Sequence, residues 1–258
     1  MKRTLLFLSV LFSFLGSCFA QSNNWKEFKS THFIVYYKNA PEDFIGKTSD
    51  KAEGYYNDIA DDLGFRRYNF WLWDNRAKIY IYDDAKSFQA STGQPSWSAG
   101  CASPNDKIIS SYPYAETFFE TILPHEIGHI IFREFVGFDN PSIPLWLEEG
   151  VASYQENLRS SMARNMLSSA IRERKLFNLS QLSQFNPHLS LDSHTVNLFY
   201  AESVNLVDFL IKEYGTDNFV SFCQALRDKK NFERALSSVY PFRNLGEFDE
   251  AWQKSIAK

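Results

Sequence analysis

Three residues in the apolar run "TILPHEIGHIIF" (Thr121 to Phe132) are of types that do chemistry. Ile122, Leu123, Ile127, Ile130, Ile131 and Phe132 read as core. His125, Glu126 and His129 are polar, and burial penalises a polar group that lacks a partner. Residues four apart share a face of a helix, so His125 and His129 can aim their rings at one point. Imidazole nitrogen suits zinc, at about 2.0–2.1 Å from the ion, and a catalytic zinc needs a third protein ligand and one open position. Glu126 stands beside the first histidine, where it can face that open position. Zinc brings the pKa of a water there to around 7, and a nearby carboxylate can take its proton as it attacks a carbonyl. The alternative is a pair of surface or capped histidines, and the apolar flanks argue against simple exposure.

A third ligand is available downstream. "PLWLEEGVASY" (Pro144 to Tyr154) carries Glu148 and Glu149 ahead of Gly150. Nineteen residues separate His129 from Glu149. That leaves room for a helix end, a loop and an antiparallel helix returning to the metal. Trp146, Leu147, Val151 and Ala152 flank the glutamates, so one of the two is expected to point inward. These residues alone do not choose between them.

"HEIGH" followed by "WLEEGVASY" resembles the gluzincins, the peptidase MA-like zinc metallopeptidases, and most of all their aminopeptidase-like branch. The resemblance runs from about His32 to Gly215. It implies an α+β, thermolysin-like zincin fold, with a small N-terminal sheet and helices followed by a mostly helical C-terminal half. It also implies one Zn2+ ion and a peptide or protein substrate. In that family the glutamate directly before the glycine binds zinc, which selects Glu149 beside His125 and His129. Glu148 would then be a neighbour turned to substrate or solvent. Glu126 would be the general base and later the proton donor. Ser153, one turn beyond Glu149, can hydrogen-bond a ligand from behind. "FYAESVNLVDFLIKEYG" (Phe199 to Gly215) is similar to the helix whose opening tyrosine steadies the oxyanion, and the matching residue is Tyr200. His194, close by, is a candidate substrate contact. His32 and His188 carry no such implication. The chain departs from the aminopeptidases in having no Gly-x-Met-Glu-Asn segment before His125, the segment that holds a free amine. The activity implied is therefore that of an endopeptidase. "NDKIISSY" (Asn105 to Tyr112) is expected to form a sheet edge beside the cleft, where an extended peptide can add as a strand.

The elements that must position these residues follow from pattern. "HFIVYY" (His32 to Tyr37), "AKIYIYDD" (Ala77 to Asp84) and "IISSY" (Ile108 to Tyr112) are β-branched and aromatic, and read as strands. Helices are expected at Glu42 to Leu63, stopped by Gly64, and at Ala85 to Ser91. The turn-rich "TGQPSWSAGCASPNDK" lies between them and the third strand. One helix should then run from Ala115 to Phe135, kinked at Pro124. "GFDNPSIP" (Gly137 to Pro144) is a loop. Further helices are expected at Leu145 to Leu158, Ser160 to Lys175, Thr195 to Tyr214, Thr216 to Lys229, and Glu233 to the end. Those after Gly215 can either cap the cleft or complete the core. Strands first and helices later is an α+β order.

The 258 residues, 44% of them hydrophobic, suffice for a sizeable core. Formal net charge is −4 and there is no basic block, which excludes a nucleic-acid partner on electrostatic grounds. "MKRTLLFLSVLFSFLGSCFA" has the three parts of an export signal: Lys2 and Arg3, an apolar run too short to span a bilayer, then small residues. Cleavage after Ala20 would free a soluble chain. Alternatively "LGSC" (Leu15 to Cys18) is similar to a lipobox, and Cys18 would carry a lipid anchor. Either route exports the protein, to the medium, the periplasm or the envelope. Residues 21–258 then form one domain, with a sheet-containing part at about 25–113 and a helical part at about 114–258. Cys101 and Cys223 read as free thiols, with a disulfide as the alternative in an oxidising compartment. Two other functions share these motifs: a non-catalytic envelope protein that binds through a gluzincin-like domain, and a zinc amidase acting on cell-wall material.

Overall fold

The computed structural model describes residues 24–65, 71–96, 98–115, 117–156, 159–190 and 192–257. The leader and Cys18 lie outside the described residues. So do Asn157 and Leu158, at the end expected for the helix from Leu145. Alternation along the strands becomes alternation in burial. In β2 (Phe33–Tyr37) and β3 (Ala77–Ile81), every second side chain is buried and those between are half-buried. Two further strands, β4 (Gly100–Ser103) and β5 (Ile108–Ser111), complete a five-stranded sheet with β1 (Lys26–Lys29). Its order is β1-β2-β3-β5-β4, with β2, β3 and β5 parallel and the two outer strands antiparallel. Val35, Ile79 and Ile109 stand in register across the middle, all fully buried. Between β2 and β3 runs α1 (Glu42–Asp62), which buries Ile45, Ala52, Tyr56 and Ile59. The short α2 (Ala85–Thr92) is started by an Asp84–Ser87 capping box.

Two strands depart from the sequence reading. β1 is "KEFK", exposed along its whole length, and its charges suit a sheet edge. β4 is "GCAS", small residues with no strand pattern of their own, ordered by pairing with β5. The segment Asn105 to Tyr112 is therefore not the sheet edge beside the cleft. Its strand, β5, is interior, and the edge is β4.

The helix carrying His125 also differs. No single kinked helix spans Ala115 to Phe135. A π-helical turn, Phe118–Ile122, leads into α3 (Leu123–Val136), and Pro124 sits in the first turn of α3. Proline is tolerated there because the first-turn N–H groups have no helical acceptor. The Leu123 N–H donates to Phe118 O, five residues back. In the same pattern Phe119 O would await the N–H that Pro124 lacks. Tyr55 of α1 serves it instead, its hydroxyl donating at 2.6 Å.

The remainder is helical: α4 (Leu145–Tyr154), α5 (Arg159–Glu173), α6 (Leu179–Gln184), α7 (Ser193–Tyr214), α8 (Thr216–Lys229), α9 (Phe232–Val239) and α10 (Leu245–Ile256). The helix expected from Glu233 onward is two helices, parted at Pro241. α6 had no long apolar period to reveal it. Buried residues of the sheet and of the helices belong to one apolar cluster. Trp146 of α4 is fully buried, edge-on to Phe232 and near Phe248, with its Nε1–H donating to Ser183. The helices after Gly215 thus complete the core under α4. No helix among the described residues is long and apolar enough to cross a membrane. The architecture is α+β, a small N-terminal sheet followed by a mostly helical remainder.

At Gly150, α4 meets the backbone of α7 directly. A Cβ there would lie 2.4 Å from Ser203 O of α7. Gly150→Ala is expected to destabilise the fold by about 3 kcal/mol, because backbone must move. Gly54→Ala, on open helix surface, should stabilise by up to about 1 kcal/mol. Tyr55→Phe should cost about 1–3 kcal/mol by leaving the Phe119 carbonyl unserved. Denaturant unfolding of the three variants checks the order and the signs.

Candidate metal centre

α3 and α4 bring their polar residues to one place. His125 and His129 lie one turn apart on α3, with ring planes at 82°. Their Nε2 atoms are 3.0 Å apart. Glu149 of α4 places Oε2 at 3.5 Å from the first and 3.7 Å from the second. These are the only described residues grouped with metal-ligand spacing. Ligands at the corners of a tetrahedron around zinc stand about 3.3 Å apart. A triangle with the observed sides has its circumcentre roughly 2.0 Å from each corner, the length of a zinc–imidazole bond. The donor set and its spacing therefore fit a zinc ion.

The outer nitrogens fix the tautomers. His125 Nδ1 is 2.8 Å from Glu156 Oε1. A carboxylate only accepts, so in the neutral ring Nδ1–H donates and the Nε2 lone pair faces inward. His129 Nδ1 is buried without a hydrogen bond, 3.8 Å from Glu148 Oε1. If its proton also sits on Nδ1, two lone pairs confront each other at Nε2, an arrangement relieved by a cation. Electrostatics point the same way. Burial disfavours the charged His125 ring, but the Glu149 and Glu156 carboxylates outweigh it and push its pKa up to about 10. Burial raises the Glu126 carboxyl against the pull of both histidines. The cluster is short of positive charge.

The surrounding elements are pinned to α3. Arg133, one turn past His129, grips Glu148 with Nε at 2.7 Å from Oε1 and with Nη2 on Oε2. Glu148 lines the cleft and ties α4 to α3 next to Glu149. The turn between β4 and β5 is held by Lys107 Nζ, 2.6 Å from Glu134 Oε1. This brings the edge strand over the site at Gly100. A Cβ at that position would meet Ile122 Cγ2 at 2.4 Å and lie 3.7 Å from Glu126 Oε1, so the close passage requires glycine.

All five residues singled out in sequence, His125, Glu126, His129, Glu149 and Tyr200, line one cleft of about 620 Å³. Tyr200 stands on α7, half-buried, with Asn197 one turn before it. His194 is exposed at the start of α7 and does not line the cleft. His32 pairs with Glu53 at 2.6 Å. Glu156 is the residue the sequence reading passed over. It lies two positions past the end of α4, seven residues after Glu149, and its carboxylate stands behind His125. Cys101 and Cys223 are both free, the first on the cleft wall and the second buried.

A family model, Peptidase MA superfamily, matches residues 73–258, a span that holds His125, Glu126, His129, Glu149, Glu156 and Tyr200. No curated protein matches the chain.

Glu156→Gln is expected to weaken zinc binding roughly 10- to 100-fold, the usual effect of removing a carboxylate behind a ligating histidine. Competition against a chromophoric chelator measures it. Unchanged affinity would remove Glu156 from the site.

Proposed function

The chain belongs to the Peptidase MA superfamily, and from that premise we propose that it is a zinc-dependent endopeptidase. Membership carries peptidase-type hydrolysis. The zinc, the residue roles and the internal cut are this reading's own, and one observation carries them: two imidazole Nε2 atoms and one carboxylate oxygen converge at tetrahedral spacing, with a further buried carboxylate in the same cleft.

His125, His129 and Glu149 would hold the ion. Bound there, zinc polarises a carbonyl and lowers the pKa of a water toward 7. Glu126 takes the water's proton on a carboxylate oxygen as the new bond to the carbonyl carbon forms. It returns that proton to the departing amine nitrogen. Tyr200 donates its O–H to the carbonyl oxygen as negative charge collects there. Glu156 holds the His125 ring with its lone pair inward. A purely binding module would have no use for the buried carboxylate of Glu126, which favours catalysis over the envelope-binder alternative. Under the same reading residues 21–258 form the catalytic domain, exported through the leader at 1–20 and either released or anchored at Cys18.

The purified protein should contain one zinc per chain and cleave members of a mixed peptide library, with activity lost to a chelator and restored by zinc. Glu126→Gln should retain zinc and lose hydrolysis by several orders of magnitude. Tyr200→Phe should lower kcat about 10²- to 10³-fold with little change in KM. Normal turnover by the Glu126 variant would end its role as base, and zinc without cleavage of any peptide would favour the binder.

A further inference from the structure

α7 hides a carboxyl group that the metal centre does not use. Glu202 stands two residues past Tyr200 and is fully buried. Its Oε1 accepts the Phe177 N–H at 3.0 Å. Its Oε2 is sealed in the interior without a hydrogen bond among the described residues. A carboxylate ion served by one N–H is strongly disfavoured in such a place, whereas a neutral carboxyl is tolerated. The charged group that acts on Glu202 is Asp249 of α10, a second acid, and among the described residues no cation from α4, α5, α8 or the α5–α6 linker does. Burial first, and the Asp249 charge after it, push the Glu202 pKa up to about 8 against the pull of the Phe177 N–H. The two acids hold the same stretch of chain. Phe177 lies in the linker between α5 and α6, and the N–H of Leu179, the first residue of α6, donates to Asp249 Oδ2 at 3.3 Å. α6 in turn holds α4, where Ser183 accepts the Trp146 Nε1–H at 3.1 Å.

We infer that Glu202 is a buried proton switch, neutral in the closed fold, whose ionisation loosens the α5–α6 linker and, through α6, the start of α4. The inference stands apart from the metallopeptidase reading. When the proton leaves for solvent, a negative charge remains beside Asp249 with a single N–H to serve it. Swinging the linker outward admits water to that charge and removes the penalty, at the loss of the Phe177 and Leu179 hydrogen bonds. The direction with pH follows. The closed-fold pKa lies above the ordinary carboxylate value of 4.5, so the closed fold holds this proton more tightly than the open form does. Its stabilising contribution is complete below that ordinary value and is lost as pH rises toward about 8. Within the window, opening becomes about tenfold easier for each pH unit.

Hydrogen exchange on the full chain, followed by NMR from about pH 5.5 to about pH 7.5, is the test. After correction for the intrinsic pH dependence of exchange, protection of the Phe177 and Leu179 amides should fall about tenfold per pH unit. The Trp146 indole N–H should lose protection in step with them. Glu202→Gln keeps an acceptor for Phe177 and has no proton to lose, so it should hold all three protections constant across the range. Asp249→Asn keeps an acceptor for Leu179 and removes the neighbouring charge, so the fall should end at a lower pH than in the unaltered chain. Protection that does not change with pH in the unaltered chain overturns the inference, and this reading stands even where Glu202→Gln fails to fold. An equal fall in the Glu202→Gln protein overturns it as well. So does a Trp146 indole whose protection stays constant while that of Phe177 falls.

Discussion

Carboxylates crowded around two imidazoles, with little water to screen them, set the terms for this fold. Glu126, Glu149 and Glu156 are all below 10% exposed and lie within one cluster. Even after relaxation, burying an ion costs several kcal/mol unless a counter-charge and hydrogen bonds compensate. Arg133 neutralises Glu148 alone, and Glu148 is the fourth acid, not one of these three. A proton on His125 is one answer, and the high pKa of that ring records the demand. A divalent ion answers more of it, because it supplies two charges and occupies three lone pairs at once. On this account a bound cation would be part of what makes the sequence of α3 and α4 tolerable as packed helices. Cation binding and the stability of this helix pair are then thermodynamically linked.

A site that depends on three atoms meeting within a few tenths of an ångström needs stiff supports. Contact between backbones supplies part of this. At Gly150 no side chain intervenes between α4 and α7, so Glu149 and Tyr200 ride on elements that cannot slide independently. Polar clasps supply the rest, with Arg133 joining α3 to α4 and Lys107 joining the β4–β5 turn to α3. Both clasps engage α3 beyond His129 and fix its register. The Trp146 packing under α4 gives the same helix an apolar anchor on its other side.

How far the sequence discloses this depends on range. His125, Glu126 and His129 are legible because a helix converts a spacing of four into a shared face. Glu149 is legible only through the glycine that follows it, since Glu148 has the same chemistry. What separates the two is Arg133, fifteen residues earlier, and nothing local announces that pairing. Glu156 is hidden for the same reason: its partner is thirty-one residues away and it follows the end of α4. The strands β2, β3 and β5 carry their pattern in β-branched residues. β4 does not, because the glycine that lets it pass over Ile122 and the small residues around it carry no strand signal. The sequence pattern therefore points to β5 as the edge, where the structure has β4.

Pro124 shows how one residue's chemistry organises distant ones. A continuous helix from Ala115 would drive its ring against the carbonyl four residues back. The chain instead adopts a π-helical turn, and Tyr114 and Thr117, both ahead of it, take left-handed backbone angles that non-glycine residues rarely adopt. π turns of this kind tend to occur at functional sites, and here the reason is mechanical. Ile122, the last residue of the wider turn, packs under Gly100 of the edge strand, while His125, the third residue of α3, faces the cleft. The carbonyl the turn leaves unserved on Phe119 is taken by Tyr55, which joins α1 to the approach to α3. Removing Pro124 would relieve the cause of the turn while leaving that tyrosine without its acceptor, so the fold holds the irregularity in place from both sides.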